Sequence, residues 1–235
     1  MRFKIKPGYI KVTNKAISMT RQFSLFDKLI GSFDQALRTL THNFKSSQPT
    51  RNNPMHHVKY DSSRLTTSDI KRVVGLMRVN HTGEVCAQAL YLGQALTTPN
   101  DTLAASFQEA ANEEYDHLYW CQERLSTLNG KSSRLNPIWY AGSFVMGAFA
   151  SQCGDKWSLG FLHETEQQVV AHLKSHLEKL PENDLASRAI INQMILDEEG
   201  HAQSATQLGA AKLPFPIPKL MKFTAKIMTG IAYYV

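Results

Sequence analysis

The stretches NEEYDHLYW (112–120) and LDEEGHAQS (196–204) each place a glutamate three residues ahead of a histidine, Glu114 with His117 and Glu198 with His201. Another glutamate precedes each pair, Glu84 by 30 residues and Glu166 by 32. In an α-helix, positions i and i+3 share a face one turn apart, so a Glu and a His so spaced can hold one metal from one side. A lone glutamate from each of two further helices then closes the centre from the opposite side. Four glutamates and two histidines in this order are the ligand set of a carboxylate-bridged di-metal site in a four-helix bundle. Iron and manganese accept such a mixed set and keep open positions for O₂.

One Glu-x-x-His is weak on its own: 11 Glu and 9 His in 235 residues give roughly 0.4 matches by chance. Their setting is stronger. Glu166 falls in a stripe of Leu159, Leu162, Val169, Val170, Leu173, Leu177 and Leu180. Glu198 falls among Ile191, Met194, Ile195, Ala202, Ala205 and Leu208, and Glu114 among Phe107, Ala110, Ala111, Leu118, Cys121, Leu125 and Leu128. These are helix-period core stripes with carboxylates in the middle. A buried carboxylate must be protonated, ion-paired or metal-bound, and no Lys or Arg lies on the stripes nearby. The alternative is that the glutamates sit at the edge of a polar face and serve solubility.

Length and composition fit one globular domain, or two. Cys86, Cys121 and Cys153 lack CxxC spacing, which indicates a reducing compartment and small core hydrophobes. The net charge of +6 is unevenly placed. Residues 1–60 hold 11 basic residues against Asp27 and Asp34, a net of +9, whereas residues 61–235 carry a net of −3. This divides the chain into a basic arm with an amphipathic helix and linker (1–60) and a mildly acidic bundle (61–235). A basic arm suits nucleic acid, an anionic membrane surface or no partner at all; lacking a recognition fold, it is not expected to bind nucleic acid. No run of 18 apolar residues spans a membrane. Residues 1–20 hold no acidic group and no apolar h-region, and read as a transit-like segment or as an extension ahead of Met19.

Phe26, Ile30, Phe33, Leu37, Leu40 and Phe44 predict an amphipathic helix over 24–45, followed by a linker at 46–60. Bundle helices are predicted from 67 or 68 to 95, 101 to 128, 155 to 180 and 184 to 211, with breaks at Pro99-Asn100, Asn129-Gly130 and Pro181. Gly83 beside Glu84 marks a close approach or a local distortion. The uncharged stretch NPIWYAGSFVMGAFASQCG (136–154) suits a buried or interfacial crossover helix. The last stretch, 212–235, mixes apolar residues with Lys219, Lys222 and Lys226, and reads as a membrane-surface helix or as a cover on the bundle. The expected fold is all-α: a ferritin-like four-helix bundle of two hairpins joined by an apolar crossover helix, with extra amphipathic helices at both ends.

RVNHTGEVCAQALYLGQAL (78–96), together with EEYDHL, TEQQVVAHL and DEEGHA, resembles the demethoxyubiquinone hydroxylase family of ubiquinone biosynthesis. The bacterial branch is the more similar, since MTRQFSLFDKLIGSFDQALRTL (19–40) resembles its N-terminal helix. The resemblance runs from about Met19 to the C-terminus and matches all six ligand positions. It implies a di-iron monooxygenase that uses O₂ to hydroxylate the ring of a polyprenylated demethoxy-benzoquinol. It also implies a peripheral protein on the cytoplasmic side of the bacterial inner membrane, working as a homo-oligomer or with other ubiquinone-biosynthesis proteins. Glu114 and Glu198 are expected to bridge two irons, with Glu84 and Glu166 terminal beside His117 and His201. Asp197 and Glu113 are candidate acceptors for the opposite hairpin's imidazole N–H. His172 and His163 are candidate proton donors near the site, or satisfied histidines. Tyr91 would flank the pocket, and Phe144 and Phe149 would line the path of the prenyl tail. With no dinucleotide fingerprint, NADH as reductant would bind without a Rossmann domain or act through a partner. Rival readings are a ferritin-like ferroxidase or iron store, and a non-catalytic lipid-binding protein on the membrane surface.

Overall fold

A computed structural model of the chain describes residues 25–41 and 49–235. Among these, the chain forms seven α-helices and no strand: α1 (Leu25–Thr41), α2 (Thr67–Thr97), α3 (Asp101–Thr127), α4 (Asn136–Gln152), α5 (Asp155–Lys179), α6 (Leu185–Gln207) and α7 (Pro216–Ala232). The expected helix over 24–45 is α1 as far as Thr41; its predicted extension over 42–45, and residues 1–24, lie outside the described residues.

Local chemistry sets the helix ends. Thr66 and Asp69 form a reciprocal capping box that opens α2. Asn100 accepts from the Thr102 and Leu103 backbone N–H groups at the start of α3, and Asp184 caps α6 through Ser187. At the end of α3 the left-handed residue is Asn129, at φ 54°, and Gly130 N donates back to Leu125 O over 2.8 Å. Helix α6 stops at Gln207, four residues short of the predicted 211. Gly209 turns to φ 95° and Ala210 N closes on Ala205 O at 3.1 Å. Gly83 marks neither a close approach nor a break: nothing lies within 4 Å of where its Cβ would be, and α2 runs on through it.

Helices α2 and α3 pair as one hairpin and α5 and α6 as the other, with α4 crossing between them and lying along α2. The α2–α4 contact is made backbone to backbone. A Cβ at Gly93 would stand 2.2 Å from Phe144 O, and one at Gly147 would stand 2.1 Å from Leu90 O. Only glycine permits that approach. The bundle interior divides into two apolar halves. Val73, Leu76, Met77, Trp120, Leu125, Leu173, Ile190 and Met194 build one. Val85, Leu90, Tyr91, Leu103, Phe107, Leu118, Leu159 and Leu162 build the other.

Three helices outside the bundle expose apolar rows: Phe26, Ile30, Phe33 and Leu37 on α1; Ile138, Val145, Met146 and Phe149 on α4; Leu220, Phe223, Ile227 and Ile231 on α7. Of the two expectations for the C-terminal stretch, the cover on the bundle is met at the ends of α7. Gln168 donates to Pro218 O and Arg78 donates to Tyr233 O, so α7 is pinned to the bundle at both ends while its apolar row stays exposed. No described helix is long and apolar enough to cross a membrane. Substituting Gly147→Ala should force α4 off α2 and cost about 1–3 kcal/mol. A denaturant titration reads this as a lower midpoint with an unchanged slope.

Candidate metal centre

The six residues singled out by spacing meet at the junction of the two apolar halves. Each helix contributes apolar residues to one half on one side of its ligand and to the other half beyond it. Glu84, Glu114, Glu166 and Glu198 are each at most 3% exposed, which excludes the polar-edge alternative. Two groups of ligand atoms form, each within 4.8 Å of one another: Glu84, Glu114, His117 and Glu198; and Glu114, Glu166, Glu198 and His201. Glu114 and Glu198 belong to both.

Both imidazoles turn Nδ1 inward. His117 Nδ1 lies 3.0 Å from Glu114 Oε2, 3.1 Å from Glu198 Oε1 and 3.7 Å from Glu84 Oε2. His201 Nδ1 lies 3.0 Å from Glu198 Oε2 and 3.3 Å from Glu114 Oε1. The outward nitrogens meet the two carboxylates expected from sequence. His117 Nε2 is 2.9 Å from Asp197 Oδ2, and His201 Nε2 is 2.6 Å from Glu113 Oε2. Each histidine is therefore oriented from the opposite hairpin, and an Nε2–H donated outward leaves Nδ1 as the inward lone pair.

The electrostatics are those of a cation site. Burial pushes the Glu84 and Glu166 carboxyls well above the usual range, and neighbouring carboxylates add to it. Burial opposes charge on Glu114 too, but hydrogen bonds from His117 and His201 outweigh it and hold its pKa down. Burial also opposes charge on the histidines; Asp197 and Glu114 raise His117 well above its ordinary value, and Glu113, Glu114 and Glu198 raise His201. Glu166 Oε1 is buried with no hydrogen-bond partner, and Glu114 Oε1 has only the His201 Nδ1 contact at 3.3 Å. Such poorly partnered oxygens among four buried carboxyl groups fit metal ions as the missing counter-charge.

The other expectations fall differently. Neither group includes His172. Its ring lies tilted against that of His176, centroids 4.1 Å apart, in a groove of about 700 Å³ lined also by Arg72, Lys179, Lys226 and Tyr233. Burial lowers its pKa to about 4, so it is a neutral packed histidine rather than a donor at the cluster. His163 is also occupied elsewhere, beside Ala202 O at 3.0 Å and Thr206 Oγ1 at 3.1 Å. Tyr91 is fully buried in the second apolar half, its hydroxyl unpartnered. Phe144 is half-buried against that half, and Phe149 is 72% exposed.

Sequence reasoning missed the strap at 49–57, read only as linker. Thr50 N and Oγ1 both donate to Asp116 at 2.7 Å, and Arg51 reaches Asp116, Asp197 and the edge of His117. A basic residue in a polar, aperiodic segment carries no signal of this. The one available hint was Asp116, an acid next to a ligand histidine.

In the metal-free protein the raised pKa values of His117, His201, Glu84 and Glu166 favour their protonated forms. Divalent cations compete with those protons, so affinity should fall as pH falls. Calorimetry of ferrous or cobaltous loading in buffers of different ionisation enthalpy should register net proton release; uptake, or no pH dependence, would contradict the site.

The chain matches the family model described as Ubiquinone biosynthesis protein COQ7 over residues 71–232. It is 50% identical over 207 residues to the 3-demethoxyubiquinol 3-hydroxylase of Dechloromonas aromatica (strain RCB), covering 88% of this chain and 98% of the relative. It is 49% identical over 209 residues to the protein of that name from Nitrosospira multiformis, covering 89% and 98%. The Acinetobacter baumannii protein of the same name is 49% identical over 214 residues, covering 91% and 99%. The resemblance read from the metal-site motifs is therefore correct: the chain belongs to the Ubiquinone biosynthesis protein COQ7 family.

Proposed function

We propose that this chain is a di-iron monooxygenase that hydroxylates the ring of a polyprenylated 3-demethoxyubiquinol. The observation that carries the reading is the sharing of Glu114 and Glu198 by both ligand groups. Those two carboxylates would serve both irons; Glu84 with His117 would complete one position, and Glu166 with His201 the other. Iron held there would supply the redox chemistry that splits O₂. One oxygen atom goes to the ring and the other leaves as water, which consumes two electrons and two protons from a reductant.

The chain's own residues do the rest. Asp197 and Glu113 hold the imidazoles so that Nδ1 points inward. The two apolar halves exclude water around the carboxylates, and the bridging pair ties the hairpins together at fixed spacing. The relatives' names favour a hydroxylase over an iron store or a lipid-binding scaffold.

The substrate's tail belongs in a bilayer, and the exposed apolar rows on α1, α4 and α7 suit a peripheral protein on the cytoplasmic face of the cell membrane. Lys219, Lys222 and Lys226 are exposed along α7 and face anionic headgroups in this reading. Each is worth about 1 kcal/mol near such a surface. Replacing all three with Glu should sharply reduce co-sedimentation with anionic vesicles; unchanged binding would leave α1 or α4 as the anchor.

For the reaction, ¹⁸O₂ should label the quinone product, and cells without the gene should accumulate the demethoxy precursor. Unlabelled product would overturn the monooxygenase reading. Phe149→Asp, on the proposed path of the tail, should raise the apparent KM for a long-tailed quinol more than for a short-tailed analogue. Equal effects on both would remove α4 from that path.

A further inference from the structure

The two halves of the centre are wired differently on their outer sides. Glu113, which receives His201, is 48% exposed at its side chain and, among the described residues, has no ion-pair contact with a Lys or Arg; Arg51 acts on it only at longer range. Asp197, which receives His117, is 15% exposed and gripped by Arg51: Nη1 lies 2.8 Å from the same Oδ2 that meets His117. Arg51 Nε reaches Asp116 Oδ2 at 3.2 Å, and Nη2 stands 3.3 Å from His117 Nε2. The guanidinium lies over the Trp120 ring at 4.8 Å, and Trp120 in turn lies 5.1 Å from the His117 ring. Asp116 is almost wholly buried. A planar fork spanning two carboxylates and stacked on an aromatic ring is a fixed fitting that lysine cannot reproduce.

We propose that Arg51 is a positioning residue for the His117 half of the centre. By clamping Asp116 and Asp197 together it sets the His117 ring and makes the two metal positions unequal in affinity. The inference rests on the six-ligand reading above. Arg51 comes from the strap at 49–57, outside the four helices that carry the ligands. One metal position is thus preorganised by a segment beyond the bundle, while the other relies on a half-exposed carboxylate.

Anaerobic titration of the metal-free full chain with Co²⁺, followed by its ligand-field absorption, tests this. The unmodified chain should bind two ions in separable steps; if it binds none, the six-ligand reading fails, independently of Arg51. R51A should weaken one step by about 10–100-fold, the usual loss when an outer partner of a metal-bound histidine is disturbed. The other step should stay within about twofold. R51K should weaken the same step by less, and E113Q should weaken the other one. N53A loosens the strap from Glu123 and the Trp120 carbonyl without touching the Arg51 fork, and should leave both steps in place. The proposal is overturned if R51A leaves both steps unchanged, weakens them equally or tightens either, or if N53A reproduces R51A. Should R51A not fold, R51K decides by the same comparison: one step weakened supports the proposal, and no change overturns it.

Discussion

Four carboxyl groups buried in one helical bundle are the constraint on which this structure depends. An isolated ionised carboxylate costs several kcal/mol or more to hold away from water. Here four are brought together between two apolar half-cores, where they also repel one another. Two inward-facing imidazoles offset part of that repulsion in the metal-free chain, and Glu166 Oε1 still lacks a partner. The hairpins cannot slide relative to one another without breaking a ligand group, because each group draws on both. Asp197 and Glu113 reach across to the opposite hairpin's histidine and reinforce the same register.

The remaining elements follow from that demand. The uncharged crossover α4 lies against α2 so closely that Gly93 and Gly147 admit no side chain. One side of α4 is thereby closed against the bundle, while Ile138, Val145 and Phe149 face outward. Helix α7 is likewise held at its two ends and apolar along its exposed row. A site that must stay dry and a substrate that dissolves in lipid call for the same design, a sealed bundle dressed in outward-facing apolar helices.

Much of this was legible in the chain. The i, i+3 spacing of Glu114–His117 and Glu198–His201 carries its own geometry, so the ligand groups and the crossed Asp197 and Glu113 contacts followed once the helices were assigned. Local capping chemistry placed most helix ends; the early stop of α6 came from Gly209, whose left-handed turn outweighed the apolar pattern continuing beyond it. Helical spacing reports a residue's face and not its neighbours, so it left His172 open between a proton donor and a packed histidine; His176, one turn on, lies against its ring. Arg51 was invisible for a related reason: its meaning lies in contacts with Asp116 and Asp197, 65 and 146 residues away, and an aperiodic segment announces no such partner.

The central claim is that the buried carboxylates exist to hold two bridged irons. Iron analysis combined with Mössbauer spectroscopy of the oxidised, ⁵⁷Fe-loaded protein tests it most directly. The account predicts two irons per chain with a diamagnetic ground state, as carboxylate-bridged ferric ions couple antiferromagnetically. One iron per chain, or two that behave as isolated paramagnets, would contradict it.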